Sequence, residues 1–150
     1  MIVLRSDLLT GFKKKLFEIE LKTKNNNNLV LENNKLTCEL SSKTSKYGFK
    51  LSGFIFNNTV YCCDRCLKEY IINDKIKTNF FISNQKNDKV ISAYDVLYWS
   101  DEDDRVNLKD TLLEILFVEI PFKKLCSNNC KGICLDCGSD LNNKSCSCKN

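Results

Sequence analysis

Residues 126–148 begin with Cys126-Ser-Asn-Asn-Cys130-Lys-Gly-Ile-Cys134-Leu-Asp-Cys137-Gly138 and end with Cys146-Ser-Cys148. This stretch holds six of the ten cysteines of the 150-residue chain, and the pair Cys63-Asp-Arg-Cys66 repeats the C-x-x-C spacing in the middle. Two cysteines separated by two residues can reach one ion from a single tight turn, and zinc is typical of thiolates at this spacing. The chain has no histidine, so a soft-metal site must be built mainly from thiolates. The stretch therefore predicts tetrahedral zinc.

Gly138 directly follows Cys137, where the chain leaves such a metal-binding turn. A residue that tolerates a positive φ angle is usually needed there, and glycine adopts that angle without steric cost. For Cys63 and Cys66, a thioredoxin-like redox pair is the alternative to a metal site. That motif normally opens a helix within a βαβ pattern, which the sequence does not show, so a structural metal is favoured.

The cysteines divide most simply into two sets of four. The more local set could close a short loop around one ion and consists of Cys134, Cys137, Cys146 and Cys148. The other would join the middle of the chain to its C-terminal part and consists of Cys63, Cys66, Cys126 and Cys130. The alternative division puts the four cysteines of 126–137 on one ion and leaves the middle pair without enough ligands. We therefore predict two zinc ions, with Cys38 and Cys62 as buried apolar thiols in strands.

Length and composition indicate one domain with a small appendage, because 43% of the residues are hydrophobic and no apolar run is long enough to span a bilayer. The first residues, Met1-Ile-Val-Leu-Arg-Ser-Asp7, resemble neither a secretory signal nor a typical transit peptide. We therefore expect a reducing compartment, in which ten cysteines indicate metal or redox chemistry more than disulfides.

The charge is unevenly distributed. Residues 1–89 hold 16 Lys and Arg against 9 Asp and Glu, residues 90–120 hold 2 against 8, and residues 121–150 hold 5 against 2. Two zinc ions bound by eight thiolates would lower the net charge from +4 to about zero. The pattern permits RNA contact through the basic regions without requiring it. The candidate RNA-contact residues are Lys13, Lys14, Lys15, Lys123, Lys124 and Lys131.

Hydrophobic alternation predicts a series of antiparallel strands. Strands are expected over Lys13–Leu21, on both sides of a turn at Ser41–Gly48 within Lys35–Phe56, over Thr59–Cys63 after a tight turn at Asn57-Asn58, and over Tyr70–Ile82. The predicted fold is α+β: a mostly antiparallel β meander or barrel-like sheet with one packed helix and a C-terminal Cys-rich zinc ribbon.

The packed helix is predicted over residues 107–120. Asn107 can cap its free N–H groups, Asp110 is a capping-box partner three residues later, and Pro121 ends it. A wide apolar face indicates packing on the sheet. Asp101–Asp104 just before it is predicted as a solvated acidic turn. We expect a β-rich domain over residues 1–125 and a zinc-ribbon-like segment over 126–150, joined through a shared metal site.

Several of these features together resemble the YceD family, the large ribosomal RNA subunit accumulation proteins of bacteria and plastids. The resemblance begins at Ser6-Asp7-Leu8-Leu9 and includes Cys63-Asp-Arg-Cys66-Leu67 after a strand, the acidic turn, and the helix before Pro121. Its most specific part is Cys134-x-x-Cys137-Gly138-x-x-Leu141-Asn142 followed by a C-x-C pair. Leu135 stands where family members usually carry proline, a difference that removes no ligand.

The resemblance implies a role in accumulation or maturation of large-subunit (23S) ribosomal RNA, in a bacterial cytoplasm or, alternatively, a plastid. The implied partners are precursor ribosomal RNA, a large-subunit ribosomal protein, or both, without a membrane or a small-molecule substrate. The residues independently favour a protein that is not an enzyme, since a Ser-His or Cys-His nucleophile is excluded and no Gly-rich phosphate loop follows a strand. A zinc-ribbon adaptor that binds protein partners without RNA contact is the alternative, and a thiol oxidoreductase is a weaker one.

Overall fold

A mostly antiparallel sheet forms the centre of the fold. The computed structural model describes residues 1–21, 30–83, 95–100 and 103–148. In chain order the elements are β1 (Ile2–Leu4), α1 (Arg5–Thr10), β2 (Phe12–Glu20), β3 (Val30–Leu31), β4 (Lys35–Ser45), β5 (Gly48–Cys62), β6 (Glu69–Ser83), β7 (Asp95–Tyr98), β8 (Arg105–Asn107) and α2 (Lys109–Val118).

The strands of the main sheet are ordered β2-β4-β5-β6-β7, with β3 also paired to β5. The longest ladder joins β5 and β6, whose antiparallel register runs without a shift from Phe49 opposite Ile82 to Cys62 opposite Glu69. Strand β7 pairs in parallel with β6, which the sequence did not predict. Strands β1 and β8 form a separate antiparallel pair. The predicted α+β class with a mostly antiparallel sheet is confirmed.

One face of the sheet supplies most of the core. Alternate residues of β4 are buried, among them Leu36, Cys38 and Leu40, as expected for a strand with one face toward a core. Leu112 and Leu116 of α2 belong to the same cluster, so the helix packs on the sheet as predicted. Burial raises the pKa of the Cys38 thiol to about 12, which keeps it protonated and inert.

Three local predictions were wrong. Asn57 and Asn58 form no turn, because both lie inside β5 and continue its register with β6. The turn within 41–48 is shorter than predicted, since β4 extends to Ser45 and β5 begins at Gly48. Cys62 is exposed rather than buried. It precedes Cys63, which is buried, and successive residues of an extended chain point to opposite sides.

Helix α2 is shorter than predicted by two residues at each end. Asn107 nevertheless binds a free N–H group at the start of the helix, because its Oδ1 accepts a hydrogen bond from the Lys109 N–H at 3.1 Å. The short helix α1 was not predicted. Neither described helix has the length and apolar content needed to span a bilayer. Of the predicted acidic turn, residues 101–102 lie outside the described part of the chain.

Candidate metal centres

The turn that carries Cys63 and Cys66 connects β5 to β6. The Leu67 N–H donates to the Cys63 carbonyl and the Cys63 N–H donates to the Lys68 carbonyl, both at 2.9 Å. These two bonds fold the loop so that both sulfurs lie on its inner side. Leu67 has a φ of 59°, a left-handed conformation that costs a residue with a side chain about 1–2 kcal/mol.

The turn that carries Cys134 and Cys137 has the same hydrogen bonds. The Gly138 N–H donates to the Cys134 carbonyl and the Cys134 N–H donates to the Ser139 carbonyl, again both at 2.9 Å. Gly138 has a φ of 69°, so its predicted left-handed conformation is confirmed. The two C-x-x-C turns therefore share one backbone conformation. Its left-handed position is glycine in one turn and leucine in the other.

The structure brings eight cysteines together as two groups of four. The inner cluster consists of Cys63, Cys66, Cys126 and Cys130. The outer cluster consists of Cys134, Cys137, Cys146 and Cys148. This is the division preferred from the sequence. Within each cluster all four sulfurs lie within 4.8 Å of one another.

The spacing of the sulfurs fits a tetrahedral metal. The Sγ–Sγ distances are 3.8 Å for Cys63–Cys130 and 3.6 Å for Cys66–Cys126 in the inner cluster, and 3.5 Å for Cys134–Cys146 in the outer one. Four sulfurs bound to zinc at about 2.3 Å would be about 3.8 Å apart, the edge of that tetrahedron. Both clusters could therefore hold a metal ion, and a set of four thiolates is compatible with zinc.

Hydrogen bonds fasten the C-terminal part to the β5–β6 turn. The Asp64 N–H donates to the Lys124 carbonyl at 2.8 Å, and the Asp64 carboxylate accepts from the Lys124 N–H at 2.6 Å. Arg65 donates from its guanidinium to the Cys130 carbonyl at 2.8 Å and accepts from the Ile133 N–H at 3.2 Å. Asp64 and Arg65 thus hold the segment that carries Cys126 and Cys130 against the turn that carries Cys63 and Cys66.

Asn142 connects the clusters to each other. Its Oδ1 accepts from the Lys131 N–H at 2.7 Å, and its Nδ2 lies 3.5 Å from the Cys130 sulfur as a donor. Asp140 holds Asn142 in place by accepting from its backbone N–H and its side chain at 2.9 and 2.7 Å. A residue of the outer segment therefore reaches a sulfur of the inner cluster.

No strand or helix forms within residues 126–148, all of which are described. Only an isolated bridge between Ile133 and Asp140 links two parts of the segment. The segment is a series of turns organised around cysteines, and regular ribbon strands were not found there.

The thiols within each cluster titrate unequally. Burial acts to raise the pKa of Cys63, but backbone hydrogen bonds to its sulfur lower it to about 6. The hydrogen bond with Cys66 raises the pKa of Cys126 to about 12. In the outer cluster the Ser139 hydroxyl lowers the pKa of Cys137 to about 6, while the bond with Cys137 raises that of Cys148 to about 11. Without a metal, each cluster thus combines a thiolate with protonated thiols.

The six candidate lysines do not meet at one place. Lys14 lies at an irregularity of β2, and the next residue, Lys15, pairs with Leu40 of β4. Leu40 in turn pairs with Gly53 of β5. Gly53 is ten residues before Cys63, roughly 33 Å along an extended strand. Lys15 also pairs with Asp7 at 2.7 Å. The other group, Lys123, Lys124 and Lys131, lies beside or within the sequence of the inner cluster.

Sequence reasoning found the eight cysteines and Gly138 but missed Asp64, Arg65 and Asn142. Asp64 and Arg65 fill the two unspecified positions of a C-x-x-C pair, so the cysteine spacing carried no signal for them. Asn142 lies within the motif Cys134–Asn142, and its side-chain amide, which can donate a hydrogen bond to a thiolate, was the signal available in the sequence.

Comparisons with known proteins agree with the cysteine pattern. A family model described as large ribosomal RNA subunit accumulation protein YceD matches residues 57–150. Two curated relatives, from Zea mays and Arabidopsis thaliana, are both described as large ribosomal RNA subunit accumulation protein YCED homolog 1, chloroplastic.

The maize relative is 35% identical over 63 residues, which are 41% of this chain and 22% of the relative. The Arabidopsis relative is 31% identical over 61 residues, 41% of this chain and 19% of the relative. The matched part thus spans about a fifth of each relative's length. No solved structure matches the chain. Since the family match covers well over half of the chain and includes both clusters, the chain belongs to the YceD family of large ribosomal RNA subunit accumulation proteins.

Proposed function

We propose that this protein is a non-catalytic factor in the accumulation or maturation of large-subunit (23S) ribosomal RNA, stabilised by two structural zinc ions. The observation that supports this function is the family match over residues 57–150, which contains both cysteine clusters. A reducing compartment, the bacterial cytoplasm or a plastid, suits eight thiolates kept available for metal.

The ligands of the proposed zinc ions are the four sulfurs of the inner cluster and the four of the outer cluster. Zinc held by four thiolates supplies a cross-link and no open position for a substrate. In this arrangement the β-rich part, residues 1–125, and the C-terminal segment, residues 126–150, share the inner cluster as their junction. Metal analysis of the purified, reduced protein should find two zinc ions per chain. A value of one would reject the two-site assignment, and a value of zero would reject structural zinc altogether.

RNA contact would come from the two lysine groups. Lysines bind phosphates, so binding should weaken steeply with salt, and replacing Lys123, Lys124 and Lys131 together should lessen the salt slope by about two to three units. Replacing Lys13, Lys14 and Lys15 instead, which lie on β2 far from the clusters, measures the contribution of the other lysine group separately. An affinity independent of salt would favour a zinc-dependent adaptor for protein partners.

The cellular test is depletion of the protein. Mature large-subunit RNA should fall relative to small-subunit RNA, with messenger levels spared. Tagged protein should sediment with large-subunit precursors, and its partners at low salt should be lost after ribonuclease treatment. Retention of the same partners after RNA digestion would reject direct RNA binding and favour a large-subunit ribosomal protein as the partner.

A further inference from the structure

No described strand covers the outer edge of β6 over most of its length. Strand β5 covers one side of β6 from Glu69 to Ile82, whereas β7 covers the other side only from Phe80 to Ser83. Among the described residues, no strand pairs with the outer side of residues 69–79. An edge strand with unpaired N–H and C=O groups is a template for another strand.

Hydrogen bonds at both ends of β6 establish which backbone groups are unpaired. At its beginning the Cys63 N–H donates to the Lys68 carbonyl, so even-numbered residues turn their backbone groups toward β5. At its end the Trp99 N–H donates to the Ser83 carbonyl, so odd-numbered residues turn outward. The register between these points has no shift. The outward residues of the open stretch are therefore Ile71, Asn73, Lys75, Lys77 and Asn79.

A groove runs along this edge between β6 and α2. Two adjoining clefts of about 370 and 590 Å³ share Lys77 and Glu119 in their walls. Their apolar lining comes from both elements and includes Ile76, Ile115, Leu116 and Val118. Residues 71–79, nine in number, would accommodate an extended segment of roughly 30 Å.

Acidic residues outnumber basic ones in the walls of the groove, four against Lys75 and Lys77. Asp74 and Glu119 line one cleft, and Asp95, Glu114 and Glu119 line the other. Among the described residues, no lysine or arginine forms an ion pair with any of them. Burial and the neighbouring charge of Glu119 raise the pKa of Asp74, so the carboxylates repel one another. A positively charged partner would relieve this repulsion, whereas a nucleic-acid phosphate would add to it.

The lysines of the edge, Lys75 and Lys77, offset only part of this negative charge. Lys75 Nζ lies 4.2 Å from the ring centroid of Phe54, on the opposite face of the sheet from α2. Lys77 lies on that same opposite face, because side chains two residues apart in a strand share a face. The groove therefore combines unpaired backbone groups, apolar contacts and negative charge.

We propose that the open edge of β6, residues 71–79, binds an extended basic segment of another protein by strand addition, with α2 forming the opposite wall of the groove. Main-chain hydrogen bonds to the odd-numbered residues would supply affinity, as in other complexes formed by strand addition. The carboxylates would select lysine- or arginine-rich segments. This inference goes beyond the proposed role in ribosomal RNA accumulation and does not depend on it.

The probe is an acetylated and amidated nonapeptide, Lys-Val-Lys-Val-Lys-Val-Lys-Val-Lys, titrated into the full-length, zinc-loaded protein. By amide hydrogen exchange, Asn73, Lys75 and Lys77 should gain protection, whereas Asp74 and Ile76 should not change because they already pair with β5. The same peptide methylated at the backbone nitrogens of two adjacent central residues should bind at least ten-fold more weakly. Adjacent residues turn their N–H groups to opposite edges, so whichever edge faces β6 loses a donor. Equal binding of the two peptides would overturn the proposal.

Two pairs of variants complete the test. Lys77→Pro removes an outward N–H and should weaken binding about ten-fold, while Lys77→Ala keeps that N–H and should bind nearly as the parent does. Glu114→Gln with Glu119→Gln should weaken binding about five-fold, while Glu18→Gln with Glu20→Gln on β2 should have no effect. Circular dichroism and zinc content would verify that each variant folds, and the methylated peptide tests the proposal with the protein unaltered.

Two other results would overturn strand addition of a basic segment. One is equal binding of a peptide with glutamate in place of lysine. The other is protection of Asn73, Lys75 and Lys77 by a single-stranded uridine oligonucleotide added without the peptide, which would assign the groove to nucleic acid. Because the assay contains no ribosomal material, its failure leaves the proposed role in RNA accumulation unaffected, and the failure of that role leaves this result unaffected.

Discussion

The inner and outer clusters use the same C-x-x-C turn in different surroundings. In the inner cluster three of the four cysteines are buried, and Cys66 meets Cys126 across 60 residues of sequence. In the outer cluster only Cys134 is buried, and all four cysteines lie within residues 134–148. The comparison separates two properties of a metal site. The turn determines whether thiolates can converge, whereas the separation of the ligands along the chain determines how much structure depends on them.

The largest effect is expected from Cys66→Ser. Structural zinc contributes an apparent ~10–16 kcal/mol in small metal-binding domains, which equals or exceeds the stability of a typical domain. Losing the inner cluster should therefore abolish the cooperative thermal unfolding of the whole chain. Cys62→Ser is the matched control, because Cys62 is exposed and belongs to neither cluster. A normal transition in Cys66→Ser would show that the inner cluster does not hold the fold together.

Cys148→Ser should have a smaller and local effect. The loop closed by the outer cluster is short, so its loss should release the segment after Cys134 while the β-rich part still unfolds cooperatively. Calorimetry together with amide hydrogen exchange would detect this, with protection lost after Cys134 and retained in β5 and β6. Equal losses of melting temperature in Cys148→Ser and Cys66→Ser would contradict the distinction between the clusters.

Zinc affinity should depend on pH in the same way at both clusters. Two thiols in each have raised pKa values, Cys66 and Cys126 in one and Cys146 and Cys148 in the other. Near pH 7 these thiols are protonated without metal, so zinc must displace at least two protons per cluster. Affinity should then rise at least about 100-fold per pH unit, and more steeply below about pH 6, where Cys63 and Cys137 also gain protons.

Competition with a chromophoric chelator between pH 5.5 and 8, scanned in steps of roughly half a unit, would measure this slope. Single-cluster variants allow each site to be titrated separately. A slope near zero at either cluster would mean that its thiols are already ionised without metal.

Asn142→Ala should test the link between the clusters. The side chain donates to the Cys130 sulfur and accepts from the Lys131 N–H, so its loss should destabilise the C-terminal segment by about 1–3 kcal/mol. Zinc release from the inner cluster should also become faster, as measured with a chelator in excess. Asn128→Ala, in the exposed part of the same segment, is the control. Unchanged release from the inner cluster would show that the two sites are independent.

The smallest effects concern the left-handed residue after each turn. Gly138→Ala should cost about 1 kcal/mol, and the cost is conformational because no atom lies within 4 Å of the added Cβ. Leu67→Gly should change stability by less than about 1 kcal/mol, because relief of strain opposes the greater freedom of glycine in the unfolded chain. Thermal unfolding of both variants would measure this. A larger loss from Leu67→Gly than from Gly138→Ala would indicate that the Leu67 side chain itself stabilises the turn.

Local patterns in the sequence were sufficient for several features. Alternation predicted the long strands β2, β4, β5 and β6, because each side chain's face follows directly from its position in an extended chain. The C-x-x-C spacing and Gly138 predicted the two cysteine-bearing turns, because a turn of four residues is complete within itself. The division into two clusters also followed, since the outer four are neighbours and the remaining four have no other partners.

Long-range contacts decided the rest. Asn57 and Asn58 form a turn in many sequences, but 14 paired positions with β6 hold them in a strand. The parallel pairing of β7 and the unpaired edge of β6 depend on where distant elements meet, which no local period encodes. Likewise Asp64, Arg65 and Asn142 matter through partners about 12 to 68 residues away. The sequence by itself determined the chemistry of the clusters, and the tertiary structure decided which of them joins distant parts of the chain, because that depends on which segments meet in the fold.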